Sequence, residues 1–194
     1  LLDAGANVEC KPAHLAQFAV LGNTYAAEVQ GKNQPRVGLL NVGSEDVKGT
    51  EMIREAHQLC RGINLNFVGN LEGRDLFSNH ADVVVTDGFV GNIVLKTTEG
   101  LVAGLFGWLH ESMEENPKRQ LGAFLTKNAF RSIQERHDPD TYGGAPLLGL
   151  RRPVIIAHGN ARAAAIAKAL AQAATAVSQK LTQRIAAATE GLNS

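Results

Sequence analysis

The chain has 194 residues, of which 44% are hydrophobic, and this is enough for the core of one ordinary domain. Nineteen lysine and arginine residues balance nineteen aspartate and glutamate residues, so nothing in the net charge favours nucleic acid as a partner. The two cysteines form no CxxC spacing and the six histidines form no ligand spacing, which predicts a cytoplasmic protein without a structural metal or disulfide framework.

Short apolar runs alternate with helical patterns along the chain. The first run, 1–3, leads to a helix that Pro12 opens, because proline is favoured at the first helical position. This alternation predicts an α/β fold with a mostly parallel sheet covered by helices. The other predicted strands are 36–42, 64–68, 82–86 and 153–157.

Two further helices are predicted, each with one apolar face. The helix after Thr50 has an apolar face of four residues: Met52, Ala56, Leu59 and Cys60. One long helix is predicted over 160–189, with an apolar stripe of six residues: Ile166, Leu170, Ala173, Val177, Leu181 and Ile185. Neither Cys60 nor Cys10 has the histidine neighbour of an activated thiol nucleophile, so both are predicted to be inert.

The segment 101–137 departs from the strand–helix alternation and predicts a protruding helical pair, which Pro117 separates. No uninterrupted apolar run, here or elsewhere, reaches the roughly 18 residues of a membrane span. Within 118–136, five basic residues accompany one acidic residue on a helix with an apolar face. Such a helix can lie on an anionic membrane surface, or its apolar face can form a dimer interface. The predicted membrane contacts are Leu121, Leu125, Lys127 and Arg131.

Three junctions of the chain place a glycine and an asparagine between an apolar strand and a helix. They are DGFVGN (87–92), FVGN (67–70) and HGN (158–160). A helix N-terminus carries unpaired backbone N–H groups and a partial positive charge, so it favours anions such as phosphate. Parallel strands end at one edge of a sheet, where several such turns would form a shared cleft. We therefore expect an enzyme or a binding protein for a phosphorylated or phosphate-like ligand.

Lys48 stands between the strand 36–42 and the next helix, in the loop NVGSEDVKGT. The loop is not a Walker A motif, because Lys48 precedes Gly49 instead of following a glycine, and ATP binding is not predicted. A lysine just ahead of a helix can neutralise a phosphate together with the helix N-terminus. The alternative is a solvated surface charge.

Polar side chains at the other junctions are candidates for catalysis. The amide of Asn92 can donate to a developing oxyanion, although helix capping is the ordinary role of Asn70, Asn92 and Asn160. His158 follows a strand, where it can act as general acid or base or serve as a structural hydrogen-bonding residue. The pair Gly143-Gly144 allows close approach of the backbone to a ligand, or only a turn.

Six sequence blocks carry a resemblance to a known family: LLDAGANVECKPAHLAQFAVLG, PRVGLLNVGSEDVKGTE, FVGNLEGRDLF, ADVVVTDGFVGNIVLKTTEG, YGGAPLLGL and HGNA. In this order they resemble the bacterial phosphate acyltransferases of phospholipid synthesis. The resemblance implies an α/β fold like that of phosphotransacetylases and isocitrate dehydrogenases, usually as a homodimer. It also implies that 1–194 is the C-terminal portion of a longer enzyme, whose absent N-terminal part lines the cleft.

The resemblance further implies transfer of a fatty acyl group from acyl-(acyl carrier protein) to inorganic phosphate, without a cofactor. It assigns Lys48 to phosphate, Asn92 to the oxyanion and His158 to the departing thiol. The other predicted contacts with phosphate or substrate are Gly49, Asn70, Glu72, Arg74, Asp87, Gly91, Lys96, Gly143 and Gly144. We expect a cytoplasmic enzyme that associates peripherally with the membrane.

Two other functions remain open from the sequence. One is a short-chain phosphotransacetylase that uses coenzyme A thioesters, against which the basic helix of 118–136 argues. The other is a non-catalytic scaffold that binds acyl carrier protein at the membrane. Formation of acyl phosphate from long-chain acyl-(acyl carrier protein) would separate the three functions.

Overall fold

The computed structural model describes residues 1–137, 139–190 and 192. These residues form two compact units, which are described separately. The first unit comprises residues 1–93, 147–154 and 173 to the C-terminus, and the second comprises 94–146 and 155–172. A parallel sheet with flanking helices confirms the predicted α/β fold.

The chain alternates helices with short strands. In chain order they are α1 (Pro12–Glu28), β1 (Arg36–Leu40), α2 (Glu51–Gly62), β2 (Asn66–Leu71), a 3₁₀ helix (Gly73–Phe77), β3 (Val83–Val85), α3 (Gly88–Glu114), α4 (Pro117–His137), α5 (Pro139–Tyr142), β4 (Ala145–Pro146), β5 (Ile155–Ile156), α6 (Ala163–Ser178) and α7 (Leu181–Glu190). α3 begins in the first unit and continues into the second, whereas α6 begins in the second and ends in the first.

β1 is the central strand of a three-stranded parallel sheet, with β2 on one side and β3 on the other. Leu2 adds a parallel bridge to Val85 of β3. Parallel pairing places the carboxyl ends of these segments at one edge of the sheet, which is where ligands bind in open α/β folds. This carboxyl edge positions the loops that follow Leu2, β1, β2 and β3.

Helices α1 and α2 pack on this sheet, α7 packs on α1, and all three contribute side chains to the core of the first unit. The largest fully buried side chains are Leu15, Val37, Leu39, Cys60, Val85 and Thr86. Gly22 allows α1 to approach the sheet closely, because a β-carbon there would lie 2.5 Å from Cγ1 of Val83. The core therefore lies between α1 and the strands, away from the loops of the carboxyl edge.

Asp82 joins β1 and β3 at the opposite, amino edge of the sheet. Its Oδ2 accepts hydrogen bonds from the Nε and the backbone N of Arg36, both at 3.0 Å, and Lys32 Nζ lies 3.2 Å from its Oδ1. The hydrogen bonds from Arg36, together with the charge of Lys32, hold the pKa of Asp82 well below its ordinary value. The hydrogen bonds between Arg36 and Asp82 thus connect the N-terminal ends of β1 and β3.

Asn116 lies between the long helices α3 and α4. Its Oδ1 accepts a hydrogen bond from the backbone N–H of Arg119 at 3.0 Å and so caps α4, which begins at Pro117. Among the described residues, α3 is the helix long and apolar enough to cross a membrane, by length and composition alone. Polar residues such as Asn92 and Lys96 interrupt it, and its first turn packs at the carboxyl edge of the sheet.

The final part of the chain differs from the prediction in two ways. The predicted strand 153–157 does not join the parallel sheet, because β5 pairs antiparallel with β4. Gly144 permits this pairing, since a β-carbon there would lie 2.7 Å from the carbonyl oxygen of Ile156. The predicted single helix over 160–189 is two helices, because Lys180 adopts a φ of +54° between α6 and α7.

Two predicted apolar faces also differ from the structure. In α2, Ile53 and His57 are buried together with Ala56 and Cys60, whereas Leu59 is 44% exposed. In α6, the exposed members of the predicted stripe are Ile166, Leu170 and Val177. Helical periodicity identifies an apolar face but does not say whether another element covers it.

Candidate active site

Four loops of the first unit follow segments that end at the carboxyl edge of the sheet. They are the turn 3–7, the loop 41–50 after β1, the residues after β2, and the junction of β3 with α3. Two helices, α2 and α3, also begin at this edge, and a helix N-terminus carries a partial positive charge. Each helix N-terminus is therefore a local position at this edge that favours an anion.

Asp3 organises the turn at the start of this unit. Its Oδ1 accepts hydrogen bonds from the backbone N–H groups of Gly5 and Ala6, both at 2.9 Å. Its Oδ2 accepts from the backbone N of Asn7 at 2.7 Å and from Asn7 Nδ2 at 2.9 Å. Burial by itself would raise the pKa of the Asp3 carboxyl, but these hydrogen bonds together outweigh it and the pKa is lowered. Asp3 is thus an ionised structural carboxylate that fixes the shape of the turn.

The first turn of α3 packs directly on this loop. The backbone N–H of Gly88 donates to the carbonyl oxygen of Asn7 at 2.8 Å. Asp87 caps the helix, because its Oδ1 accepts from the backbone N–H three residues later at 2.8 Å. A β-carbon on Gly91 would overlap the carbonyl oxygen of Asp3, so this packing requires glycine. A direct contact of Asp87 or Gly91 with a ligand stays a prediction.

Asn92 is the fifth residue of α3 and is not its cap. Its side chain is exposed at the carboxyl edge and forms no hydrogen bond with the part of the chain that the structure describes. Its Oδ1 lies 3.5 Å from the position that a β-carbon on Gly5 would occupy. The amide of Asn92 is therefore held beside the turn 3–7 with its donors available to a ligand.

The loop 41–50 brings Lys48 to the N-terminus of α2. The backbone N–H of Lys48 donates to the carbonyl oxygen of Glu45 at 3.1 Å, and Asn41 Nδ2 donates to the carbonyl oxygen of Lys48 at 3.0 Å. Gly49 follows with a φ of +88°, and a β-carbon there would overlap Asn41 Oδ1. The main chain of Lys48 is thus held on both sides, while its side chain is exposed.

The polar residues at the end of β2 bond mainly within the protein. Asn70 is 7% exposed, its Nδ2 donates to the carbonyl oxygen of Glu45 at 2.9 Å, and its Oδ1 lies 3.1 Å from His57 Nδ1. Arg74 Nη2 pairs with Glu72 Oε1 at 3.1 Å but stays largely exposed. Contact of Asn70, Glu72 or Arg74 with phosphate stays a prediction.

Asn41 and His57 are polar residues of this edge that the sequence did not single out. Asn41 follows β1 directly and bonds to the loop through Nδ2 and, via its Oδ1, to the backbone N of Val42 at 2.8 Å. His57 occupies the apolar face of α2. Two features of the sequence could have identified them. Asn41 is a polar residue at the carboxyl end of a strand, and His57 is a histidine on the apolar face of a helix.

Lys96 and His158 lie in the second unit. Lys96 Nζ forms an ion pair with Glu99 Oε2 at 2.8 Å, and both side chains are partly exposed. His158 Nδ1 contacts Asn160 Oδ1 in the exposed turn before α6. Because the two units are described separately, a role for Lys96 or His158 at the carboxyl edge of the first unit stays a prediction.

Gly143 and Gly144 also belong to the second unit. Gly143 has a φ of +83° and packs on α6, where a β-carbon would lie 2.7 Å from the backbone N of Ala169. Gly144 packs equally closely on β5. Close backbone packing accounts for both glycines, and their contact with substrate stays a prediction.

Neither cysteine provides a nucleophile at this edge. Burial raises the pKa of the Cys60 thiol to about 12. Burial is also the largest cause that raises the pKa of Cys10, with the carboxylates of Asp87 and Asp3 acting in the same direction. Within the described ranges, no three His, Cys, Asp or Glu side chains cluster in a way that could hold a metal ion. What the edge does supply is the ammonium group of Lys48 and the amide donors of Asn92, beside the helix N-termini.

A protein-family model described as "Fatty acid synthesis protein" matches residues 1–184. The chain belongs to this family. The match includes the turn 3–7, the loop 41–50 and the start of α3, so the whole carboxyl edge lies inside it. The resemblance noted in the sequence is confirmed.

Curated relatives of this chain are named "Phosphate acyltransferase". One from Syntrophotalea carbinolica is 47% identical over 187 residues, which are 96% of this chain and 54% of the relative. One from Lysinibacillus sphaericus is 46% identical over 185 residues, which are 95% of this chain and 56% of the relative. One from Helicobacter pylori is 44% identical over 194 residues, which are 100% of this chain and 57% of the relative. The chain spans about half the length of these curated relatives.

Proposed function

We propose that this chain forms part of a phosphate acyltransferase. The enzyme transfers a fatty acyl group from acyl-(acyl carrier protein) to inorganic phosphate and yields acyl phosphate for glycerophospholipid synthesis. The observation that carries the proposal is the exposure of Lys48 and Asn92 at the edge where α2 and α3 begin, since neither side chain bonds to the described part of the chain. The names of the relatives support acyl transfer to phosphate.

The reaction needs orientation and charge stabilisation but no covalent enzyme intermediate. A thioester is already activated, and an oxygen of phosphate attacks its carbonyl carbon to form a tetrahedral oxyanion. Lys48 and the N-terminus of α2 neutralise the phosphate, and Asn92 donates to the oxyanion. As the carbon–sulfur bond breaks, the departing thiolate takes up a proton, for which His158 of the second unit stays the predicted donor. The raised pKa values of Cys10 and Cys60 agree with a direct transfer.

Formation of acyl phosphate is the direct test. The protein that carries this sequence is incubated with long-chain acyl-(acyl carrier protein) and radiolabelled phosphate, and the labelled acyl phosphate is measured. Turnover with this donor supports the proposal. Turnover restricted to short-chain coenzyme A thioesters would indicate a phosphotransacetylase, and binding of acyl carrier protein without turnover would indicate a scaffold.

Replacing Lys48 by alanine is expected to raise the phosphate KM and to leave the fold intact. The lysine side chain makes no hydrogen bond or ion pair with the described residues, whereas a charge-assisted hydrogen bond to phosphate contributes about 1.5–3 kcal/mol. Phosphate saturation curves measure the effect, and Lys118→Ala, an exposed lysine on α4, is the control. An unchanged phosphate KM in Lys48→Ala would remove Lys48 from the site.

We also propose that α4 attaches the enzyme reversibly to an anionic membrane surface on the cytoplasmic side. Leu121 and Leu125 are 61% and 74% exposed on one helix face, and Phe124 beside them is exposed as well. Lys127 and Arg131 are exposed and supply positive charge, which near an anionic surface contributes about 1 kcal/mol per residue. A homodimer that buries the same apolar face is the competing proposal.

Leu125→Glu is expected to release the protein from anionic vesicles while acyl transfer to phosphate in solution continues. The substitution places a carboxylate on the apolar face, where insertion would have to desolvate it. Thr126→Glu adds the same charge at an exposed position about 100° from Leu125 and about 160° from Phe124 around the helix, away from that face, and should retain binding. Vesicle sedimentation and size-exclusion chromatography are read together: retained vesicle binding with a shift to monomer would favour the dimer interface.

A further inference from the structure

His57 is a buried histidine that the proposed reaction does not use. It lies on α2 with 3% of its surface exposed, beside the edge of the Phe67 ring, whose centroid is 5.1 Å away. Its Nδ1 lies 3.1 Å from Oδ1 of Asn70, which is itself 7% exposed. A hydrogen-bonded pair of buried polar side chains is retained in a core only where its bonds are satisfied.

The hydrogen bonds around Asn70 define which groups donate. Asn70 Nδ2 lies 2.9 Å from the carbonyl oxygen of Glu45, which can only accept, so this end of the amide is the NH2 group. Its other end, Oδ1, is therefore the acceptor that faces His57. Nδ1 of His57 must then carry the proton and donate it to Asn70.

The carbonyl oxygen of Glu45 is shared with Lys48. It accepts a hydrogen bond from the backbone N–H of Lys48 at 3.1 Å in addition to the one from Asn70. A continuous chain of hydrogen bonds thus runs from His57 through Asn70 and Glu45 to the main chain of Lys48. It crosses from α2 to the end of β2 and from there to the loop 41–50.

The other ring nitrogen of His57 faces the same loop without a hydrogen bond. Its Nε2 lies 3.4 Å from Asp46 Oδ1, and Asp46 Oδ2 pairs with Arg61 Nη2 at 3.0 Å. Asp46 is about half exposed, whereas His57 is buried. Since Nδ1 carries the ring proton, Nε2 forms no hydrogen bond to Asp46 or to any other described residue, and the buried link through Asn70 is the contact by which His57 holds the loop.

We propose that His57 and Asn70 are positioning residues for phosphate binding. They hold the loop 41–50 in the conformation that presents Lys48 at the N-terminus of α2. This inference rests on the proposed function, because it takes Lys48 as the phosphate-binding residue. It also gives Asn70 a role that its two internal hydrogen bonds favour over direct contact with phosphate.

The test compares two substitutions of His57. In His57→Leu both ring nitrogens are lost, while in His57→Asn the side-chain NH2 group can occupy the position of Nδ1–H and donate to Asn70. Cys60→Ala is the control, because Cys60 is buried on the same face of α2 and its thiol makes no polar contact with the described residues. Hydrogen–deuterium exchange of residues 44–48 and steady-state phosphate kinetics of the active protein are the readouts.

We expect His57→Leu to speed exchange in this segment and to raise the phosphate KM about three- to tenfold, with a smaller change in kcat at saturating phosphate. We expect His57→Asn to restore both toward wild type, and Cys60→Ala to lower stability without either effect. Unchanged exchange in His57→Leu, or the same change in Cys60→Ala, would overturn the inference. If the wild-type protein neither binds nor uses phosphate, the proposed function fails, and the exchange data still decide whether His57 and Asn70 hold the loop.

Discussion

Replacing Gly91 by alanine is expected to separate the start of α3 from the turn 3–7 and to destabilise the first unit. The added β-carbon would lie 2.9 Å from the carbonyl carbon of Asp3 and would overlap its oxygen. That oxygen belongs to a turn fixed by four hydrogen bonds to the Asp3 carboxylate, so it cannot retreat without breaking them. Forced overpacking of this kind costs about 1–3 kcal/mol.

Gly100 of the same helix provides the matched control. A β-carbon at Gly100 would meet nothing within 4 Å, and alanine is favoured over glycine in a helix by about 1 kcal/mol. Gly100→Ala should therefore stabilise the protein, whereas Gly91→Ala should destabilise it. Urea unfolding of both variants measures the difference, and equal midpoints for the two would show that α3 does not depend on the contact with Asp3.

Replacing Asn92 by alanine is expected to lower turnover about 10²–10³-fold while the phosphate KM changes little. An oxyanion donor acts mainly in the transition state, so its loss appears in kcat. Asn92 is neither a cap nor hydrogen-bonded within the described residues, so the melting temperature should change little. Stopped assays of acyl-phosphate formation at saturating phosphate give the turnover.

Asn116 is the matched control for Asn92. It caps α4 through Arg119, so Asn116→Ala should cost about 1 kcal/mol of stability without a comparable loss of turnover. If Asn92→Ala behaves like Asn116→Ala, with a lower melting temperature and normal turnover, then Asn92 is structural and the oxyanion donor lies elsewhere.

The sequence predicts the strands of the parallel sheet well because their residue types favour a strand over a helix. The apolar run within 36–42 and the β-branched run at 82–86 are too short and too apolar for surface helices, and the structure has β1 and β3 there. The strand 153–157 has the same composition, yet β5 pairs antiparallel in a separate small sheet. Composition indicates that a segment is extended, whereas its pairing depends on elements distant in the sequence.

Only part of the candidate site could be predicted in the same way. Lys48 and Asn92 are visible because each stands in a strand–helix junction, which is a local pattern. The link from His57 to Asn70 and Glu45 joins residues separated by 13 and 25 positions. No local pattern encodes it, because it exists only once α2, β2 and the loop 41–50 have packed together.

The pairing of Asp82 with Arg36 has a consequence for how this fold can change over evolution. It anchors β1 and β3 at the amino edge, where the loops of the candidate site are absent. Substitutions that adapt those loops to a new ligand therefore need not weaken this anchor, so the chain can accumulate them without losing its sheet. Mutational tolerance should accordingly be higher at exposed loop positions such as Val42 and Val47 than at Asp82, and a deep mutational scan would reveal that gradient.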